Sequence, residues 1–265
     1  MKIGIVGVGI VGSAIKYGFE KLGHEVLTHD TRHYTSIEDV RETDINFICV
    51  PTPAMNDGRC NVHIVNDVIM ELDRIGYDGV IAIKSTVEPG TTEKLQDKYP
   101  NRSICFVPEF LRERCAVADF TENQDLCVIG TDDDKIYDLV KEAHGKYPQK
   151  VVQLSTTESE LVKYFNNVYN ATLITFSNNF YEICEGLGVN YTNVKNAVVN
   201  RDHIEDIYLD CNENFRGFGG VCLPKDTKAL ESLSRELKLN SKFFKILIEE
   251  NKRYKTTVFK GMRKE

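Results

Sequence analysis

Residues 1–12 read M-K-I-G-I-V-G-V-G-I-V-G, and residues 13–30 continue S-A-I-K-Y-G-F-E-K-L-G-H-E-V-L-T-H-D. An apolar strand runs into Gly7-x-Gly9-x-x-Gly12. Ser13, Ala14, Ile15, Tyr17, Phe19 and Leu22 then carry a helical pattern, and a second apolar strand over 25–28 ends at His29-Asp30. Glycines here allow a tight turn and close approach of backbone to a pyrophosphate, the helix start faces the phosphates, and the acid about 20 residues on accepts from a ribose. A bare glycine motif says little, but here strand, helix and acid follow in order, which is a dinucleotide-binding unit. Asp30 favours ribose hydroxyls and repels a 2′-phosphate, so NAD is expected rather than NADP; Arg32 is the one neighbour that argues the other way. The apolar start has no small-residue cleavage site after it and does not read as a signal peptide.

With 265 residues, 42% hydrophobic and 28% charged, the chain is long enough for a nucleotide domain and something smaller. A net charge of -7 disfavours nucleic acid and anionic membranes as partners, so an anionic ligand must be held by local cations and helix ends. The eight cysteines (49, 60, 105, 115, 127, 184, 211 and 222) form no C-x-x-C pair and no zinc-like spacing, and no apolar run is long enough to span a bilayer. No metal is expected. Reduced thiols and a cytoplasmic location are the expectation.

Apolar strands at 46–50, 79–83, 103–107, 126–129 and 151–154 alternate with helical patterns such as 62–74 and 133–143. Such alternation predicts an α/β, doubly wound, mainly parallel sheet over residues 1–155, with ligands at the carboxyl ends of its strands. Polar residues gather at those ends: Thr52 after the third strand, Lys84 to Thr86 after the fourth, Glu109 and Glu113 after the fifth. Residues 156–265 are expected to form a helical second domain. A Thr157-x-x-Glu160 capping box opens a helix of about thirty residues, or about 45 Å, ending at Gly186-Leu187-Gly188. A helix of that length is expected to span between domains or to form a subunit interface, over 157–187, in a homodimer or larger assembly. Lys163 and Asn167 stand four apart on it and share a face. Shorter helices follow at 192–199, 225–237 and 241 to about 257, and then a basic tail.

Residues 217–226 read G-F-G-G-V-C-L-P-K-D. Pro224 suits the first turn of a helix, which places Cys222 just outside the N-terminus, where the partial positive charge of the helix end favours a thiolate. Lys225 adds a cation one turn away, and the glycines leave one wall bare. Taken alone, the stretch reads more economically as a flexible turn before a buried cysteine.

Taken together, these segments resemble the UDP-glucose/GDP-mannose dehydrogenase family. The matching stretches are G-V-G-I-V-G at 7–12, F-I-C-V-P-T-P at 47–53 with Asp57-Gly58 after it, K-S-T-V-E-P-G-T-T at 84–92, P-E-F-L-R-E at 108–113, E-L-V-K-Y-F-N-N at 160–167, and the Cys222 loop. The resemblance implies a four-electron oxidation of a sugar C6 alcohol to a carboxylate, with two NAD and a Cys222 thiohemiacetal and thioester. UDP-glucose to UDP-glucuronate is the expected conversion, with GDP-mannose next. It further implies a water held by Asp226 and Thr86 as the base of the first step. Lys163 and Asn167 are implied as the oxyanion site, and Glu109 as base for thioester hydrolysis. Cofactor contacts would come from Gly7, Gly9, Gly12, Asp30, Thr52, Thr86, Glu113 and Lys225.

Three positions depart from the family pattern: Val107 in place of Asn, Arg114 in place of Gly, and Arg216 in place of Pro. Family members continue into a third α/β domain that helps bind the nucleotide, whereas this sequence stops where the linker to it would begin. A half-open substrate site is therefore expected, unless a partner subunit or separately encoded chain completes it. An NAD-binding remnant serving as scaffold or regulator is the alternative.

Overall fold

The structure, a computed structural model, describes residues 1–254. Two compact units make it up: Met1–Pro53 with Cys60–Lys163, and Ala54–Arg59 with the chain from Tyr164 onward. The division falls after Lys163, inside the long helix, whereas the sequence places it before residue 156. A short excursion, Ala54–Arg59, also goes with the second unit.

In the first unit seven strands form one sheet: β1 (Lys2–Val6), β2 (Glu25–His29), β3 (Ile45–Ile48), β4 (Val80–Ile83), β5 (Ser103–Phe106), β6 (Leu126–Gly130) and β7 (Lys150–Leu154). Their order is β2-β1-β3-β4-β5-β6-β7. Neighbours are parallel except at β5 and β6, which meet antiparallel through the single pair Phe106 and Gly130. Every residue of β3 and β4 is buried, because helices cover both faces of the sheet; hence these strands read as unbroken apolar runs. One face packs Val6, Ile48, Ile69, Leu72, Ile81 and Phe106, the other Ile5, Ile15, Phe19, Phe47, Ala82 and Phe120. The chain leaves β1 toward β2 on one side and returns to β3 on the other. That reversal opens a crevice at the carboxyl ends of β1 and β3, where open α/β sheets bind ligands.

Five helices belong to this unit: α1 (Ile10–Lys21), α2 (His63–Arg74), α3 (Thr91–Lys98), α4 (Ala116–Thr121) and α5 (Asp134–His144). The long helix, α6 (Thr156–Leu187), has 32 residues. Its cap differs from the one expected. Ser155 and Glu158 form the box: the Glu158 N–H donates to Ser155 Oγ at 3.3 Å, and the Ser155 N–H donates to Glu158 Oε2 at 3.0 Å. S-T-T-E-S-E contains two S/T-x-x-E patterns, and the end of β7 at Leu154 selects the first. Gly188, with φ of 69°, closes the other end as expected.

The second unit is helical: α6 from Tyr164, then α7 (Tyr191–Val198), α8 (Cys222–Glu236) and α9 (Phe243–Asn251). Its core joins Val168, Ala171, Phe218 and Leu247, with Leu223 and Leu230 packed against them. α8 begins earlier than expected, so Cys222 is its first residue rather than lying just outside it. Pro224 stands third, where its missing N–H costs nothing. α9 ends at Asn251, short of 257; the positions beyond 254, including the basic tail, lie outside the described residues. Among the described residues no helix is long and apolar enough to cross a membrane.

His144, at the end of α5, is fully buried and set edge-on to Phe19, Phe47 and Phe120. One ring nitrogen, Nδ1, pairs with the Val140 carbonyl at 2.8 Å. Burial pushes the imidazole from its usual 6.5 down to about 3. Since the folded value lies below the unfolded one, the stabilisation from the neutral ring is full above pH 6.5 and is lost as pH falls through that window. Between pH 7 and 5, urea unfolding should show a His144 contribution that falls toward a slope of about 1.4 kcal/mol per pH unit, and His144→Phe should flatten it. An unchanged slope in H144F would refute this assignment.

Candidate functional site

At the end of β1 the chain turns through Gly7 with φ of 94°, a backbone shape that a side chain resists. A Cβ there would meet the Cys49 carbonyl oxygen at 2.7 Å, so Gly7 lets the loop press against the end of β3. Around Gly9 the space is open to 4 Å, and it caps α1 without any side-chain hydrogen bond. At Gly12 a Cβ would come within 2.0 Å of the Gly7 oxygen, which fixes α1 against the turn. These three residues fit a pyrophosphate seated on the start of α1.

Asp30 closes the same crevice from the end of β2. Its Oδ2 accepts from the Val8 N–H at 2.7 Å and from Arg32 Nη2 at 2.8 Å; its Oδ1 accepts from the Arg32 N–H and Nε, both at 2.9 Å. Arg32 Nη2 also donates to the Val8 carbonyl at 3.1 Å. Hydrogen bonding from the Arg32 side chain holds the Asp30 carboxyl well below the usual carboxylate range. Sequence reading placed Arg32 nearby; only the fold lays it across the acid.

Thr52 and Thr86 stand at the ends of β3 and β4. Buried Cys60 points its sulfur at both their carbonyls, 3.6 Å from Thr52 and 3.2 Å from Thr86, and its N–H donates to Glu88 Oε1 at 2.8 Å. Ser85 Oγ donates to the Val50 carbonyl at 2.7 Å, tying the two strand ends together. Next along the sheet, Glu109 is held from two directions. Lys163, 4% exposed, donates to its Oε1 at 2.9 Å and to its carbonyl oxygen, while the Leu111 N–H donates to Oε2 at 2.7 Å. Lys84 lines a cavity of roughly 230 Å³ with Glu109 and Phe110, and burial pushes its ammonium below the usual range. Glu113 is exposed in a single helical turn, Glu113–Cys115, and the preceding Arg112 is fastened to Asp119 at 2.6 Å.

In the second unit Asp226 is fully buried. Asn167 Nδ2 donates to its Oδ2 at 2.5 Å and Lys225 Nζ to its Oδ1 at 2.6 Å. Cys222 is exposed, one turn before Asp226 on α8. The loop before it is tied down rather than free: Asn178 Oδ1 accepts from the Gly217 N–H at 3.1 Å and from Arg216 Nε at 2.6 Å, and Asn251 pairs with both backbone groups of Phe218. Arg216 lies between the rings of Tyr181 and Tyr254 and bonds Glu182, so it anchors this loop to α6. A flexible turn before a buried cysteine is therefore the wrong description. The thiols that are buried differ chemically: burial pushes Cys105 up to about 12 and Cys127 to about 11, which leaves them unreactive at neutral pH.

Glu160 does not cap α6 as the Thr157-x-x-Glu160 spacing predicts. It is fully buried, and its carboxylate accepts from the Gly90 N–H at 2.5 Å, the Thr92 N–H at 2.8 Å and Thr92 Oγ1 at 2.6 Å. Burial pushes its carboxyl upward against the pull of these donors. The only signal in the sequence was the second S/T-x-x-E pattern, which implied that one of the two glutamates was spare.

The family model for the NAD binding domain of the UDP-glucose/GDP-mannose dehydrogenase family matches residues 28–147, and that for its central domain matches 157–253. A UDP-glucose 6-dehydrogenase of Rickettsia typhi is 33% identical over 233 residues, covering 84% of this chain and 53% of the relative. A UDP-glucose 6-dehydrogenase of Bacillus subtilis is 31% identical over 79% of this chain and 49% of its own. The chain thus spans about half the length of the curated relatives it matches. Among solved structures, a UDP-glucose dehydrogenase from the archaeon Pyrobaculum islandicum superposes with a TM-score of 0.86 at 28% identity, over 95% of this chain and 68% of that one.

Removing the Glu160 carboxylate leaves three donors, two of them buried, without an acceptor. Glu160→Ala should therefore lower the unfolding free energy by about 3 kcal/mol, against about 1 kcal/mol for Glu158→Ala at the exposed cap, as measured by urea denaturation. Equal losses would contradict the distinction between the two glutamates.

Proposed function

The chain belongs to the UDP-glucose/GDP-mannose dehydrogenase family, and we propose that it binds NAD and oxidises the C6 alcohol of a nucleotide sugar, UDP-glucose foremost, to the carboxylate. The observation that carries this reading is the exposed residue Cys222 on the first turn of α8, one turn from the buried Asp226 with its two donors. Gly7, Gly9, Gly12 and Asp30 would hold the dinucleotide, with Thr52, Thr86, Glu113 and Lys225 as further contacts. Bound NAD supplies the hydride acceptor for both oxidations.

In the first oxidation the alcohol loses a proton to a water held by Asp226 and Thr86, and its carbon loses a hydride. Lys163 stabilises the negative oxygen. The Cys222 thiolate then adds to the aldehyde carbon, forming the C–S bond of a thiohemiacetal. Loss of a second hydride leaves a thioester, so the aldehyde never escapes. Glu109 takes a proton from water as it attacks the thioester; the C–S bond breaks and the thiol and carboxylate part. Asn167 and Lys163 donate to the oxygen of the tetrahedral states, a kind of contact worth about 3 kcal/mol when one donor is removed. Lys163 and the Leu111 N–H hold both Glu109 carboxylate oxygens in place.

The experiment is to incubate the protein with NAD and UDP-glucose, then GDP-mannose, and count NADH formed per sugar. Two per sugar is expected, and Cys222→Ser should abolish steady four-electron turnover. Unchanged stoichiometry and rate in C222S would refute the thioester. NAD binding with no oxidation of either sugar would point instead to a scaffold or regulator, or to a site that a separate chain completes.

We further propose that α6 pairs with a second copy of this chain. Phe165, Tyr169, Phe176, Phe180, Ile183 and Leu187 are all exposed along it, with Phe165 at 75% and Leu187 at 73%. Their spacings of four, seven, four, three and four keep them along one side of the helix. An apolar stripe of this extent marks an interaction surface. Light scattering should give a dimer for the native chain and a monomer for Phe176→Asp with Phe180→Asp. A native monomer at tens of micromolar, or a dimer that survives both changes, would overturn this pairing.

A further inference from the structure

We propose that Arg32 sets the dinucleotide preference of the glycine loop by neutralising Asp30, so that a 2′-phosphorylated dinucleotide of the NADP class is admitted beside NAD. The inference rests on the reading of Gly7 to Asp30 as a dinucleotide site. It runs against the simplest expectation for an acid at the end of the second strand, which is repulsion of a 2′-phosphate.

A carboxylate offers about four lone-pair positions. On Asp30 each oxygen takes one backbone N–H and one guanidinium N–H: Arg32 N and Nε on Oδ1, Val8 N and Arg32 Nη2 on Oδ2. The backbone donors belong to the turn itself. Ribose hydroxyls must therefore take the two places that Nε and Nη2 hold, one on each oxygen. Because Nη2 also reaches the Val8 carbonyl, the guanidinium spans from the acid to the glycine loop. Arg32 has to swing away for a ribose to sit on Asp30.

The Arg32 side chain is 65% exposed, so its guanidinium has room to turn into solvent, and the ribose hydroxyls replace the two hydrogen bonds it gives up on Asp30. Its anchor is only two residues from Asp30, so the displaced guanidinium stays beside the ribose edge. A planar fork of donors there suits a phosphate, which it grips with two parallel hydrogen bonds. With Arg32 present the positive charge offsets the carboxylate; without it a 2′-phosphate faces Asp30 alone.

The test uses the fluorescence of the reduced cofactors themselves, since the chain has no tryptophan. NADH and NADPH are titrated into the native protein and into Arg32→Ala, with thermal melting to show that the variant is folded. The native protein is expected to bind NADPH within about tenfold of NADH. In R32A, NADPH binding should weaken by about tenfold or more, while NADH binds as tightly or more tightly because Asp30 is already uncovered. Raising the salt concentration should weaken NADPH more than NADH in the native protein. The proposal fails if the native protein binds NADH but not NADPH, or if R32A leaves the ratio of the two affinities unchanged. Binding of neither dinucleotide to the native protein would overturn the dinucleotide site and this proposal with it.

Discussion

The buried carboxylate of Glu160 is the contact on which the arrangement of the first unit turns. It gathers the N–H groups of Gly90 and Thr92 and the Thr92 hydroxyl, and so joins the opening of α6 to the start of α3. A carboxylate out of water is costly unless donors surround it, and here three do. One turn later on α6 comes Lys163, which reaches the side chain and the carbonyl of Glu109. The position of the ion pair thus follows from a clamp that takes no part in the proposed chemistry.

Charge is handled in small closed groups throughout. Asp30 is covered by Arg32, Glu109 by Lys163, Asp119 by Arg112, and Asp226 by Lys225 and Asn167. Each of these four acids has a cation beside it, whereas Glu160 at the start of α6 is held by N–H and hydroxyl donors alone. The proposed nucleophile follows a different logic: Cys222 is exposed on the first turn of α8, in contrast to the thiols buried in the sheet.

Much of this was legible in advance because the signals are local. Strand limits differed by one or two residues, since apolar runs buried on both faces must end where the chain turns to solvent. The glycine loop was legible because the backbone shape at Gly7 and the close approaches at Gly7 and Gly12 admit no side chain. Boundaries of helices were less so. Ser155 rather than Thr157 caps α6, and α8 starts at Cys222, because the cap is chosen by where the preceding segment ends and not by the motif alone. The antiparallel entry of β6 has no local signal at all: Phe106 and Gly130 pair across residues distant in sequence.

By itself, then, the sequence determined the alternating sheet and helices, the dinucleotide loop, the long α6 and the identity of the candidate residues, because spacing and residue type act over one turn or one strand. Only the tertiary structure decided the partners: Glu160 with Thr92, Lys163 with Glu109, Asn167 with Asp226, Asn178 with the Gly217 loop. These are meetings of groups 39 to 68 residues apart. Buried polar atoms must find donors or acceptors somewhere, but which ones they find is settled by packing and not by sequence neighbours.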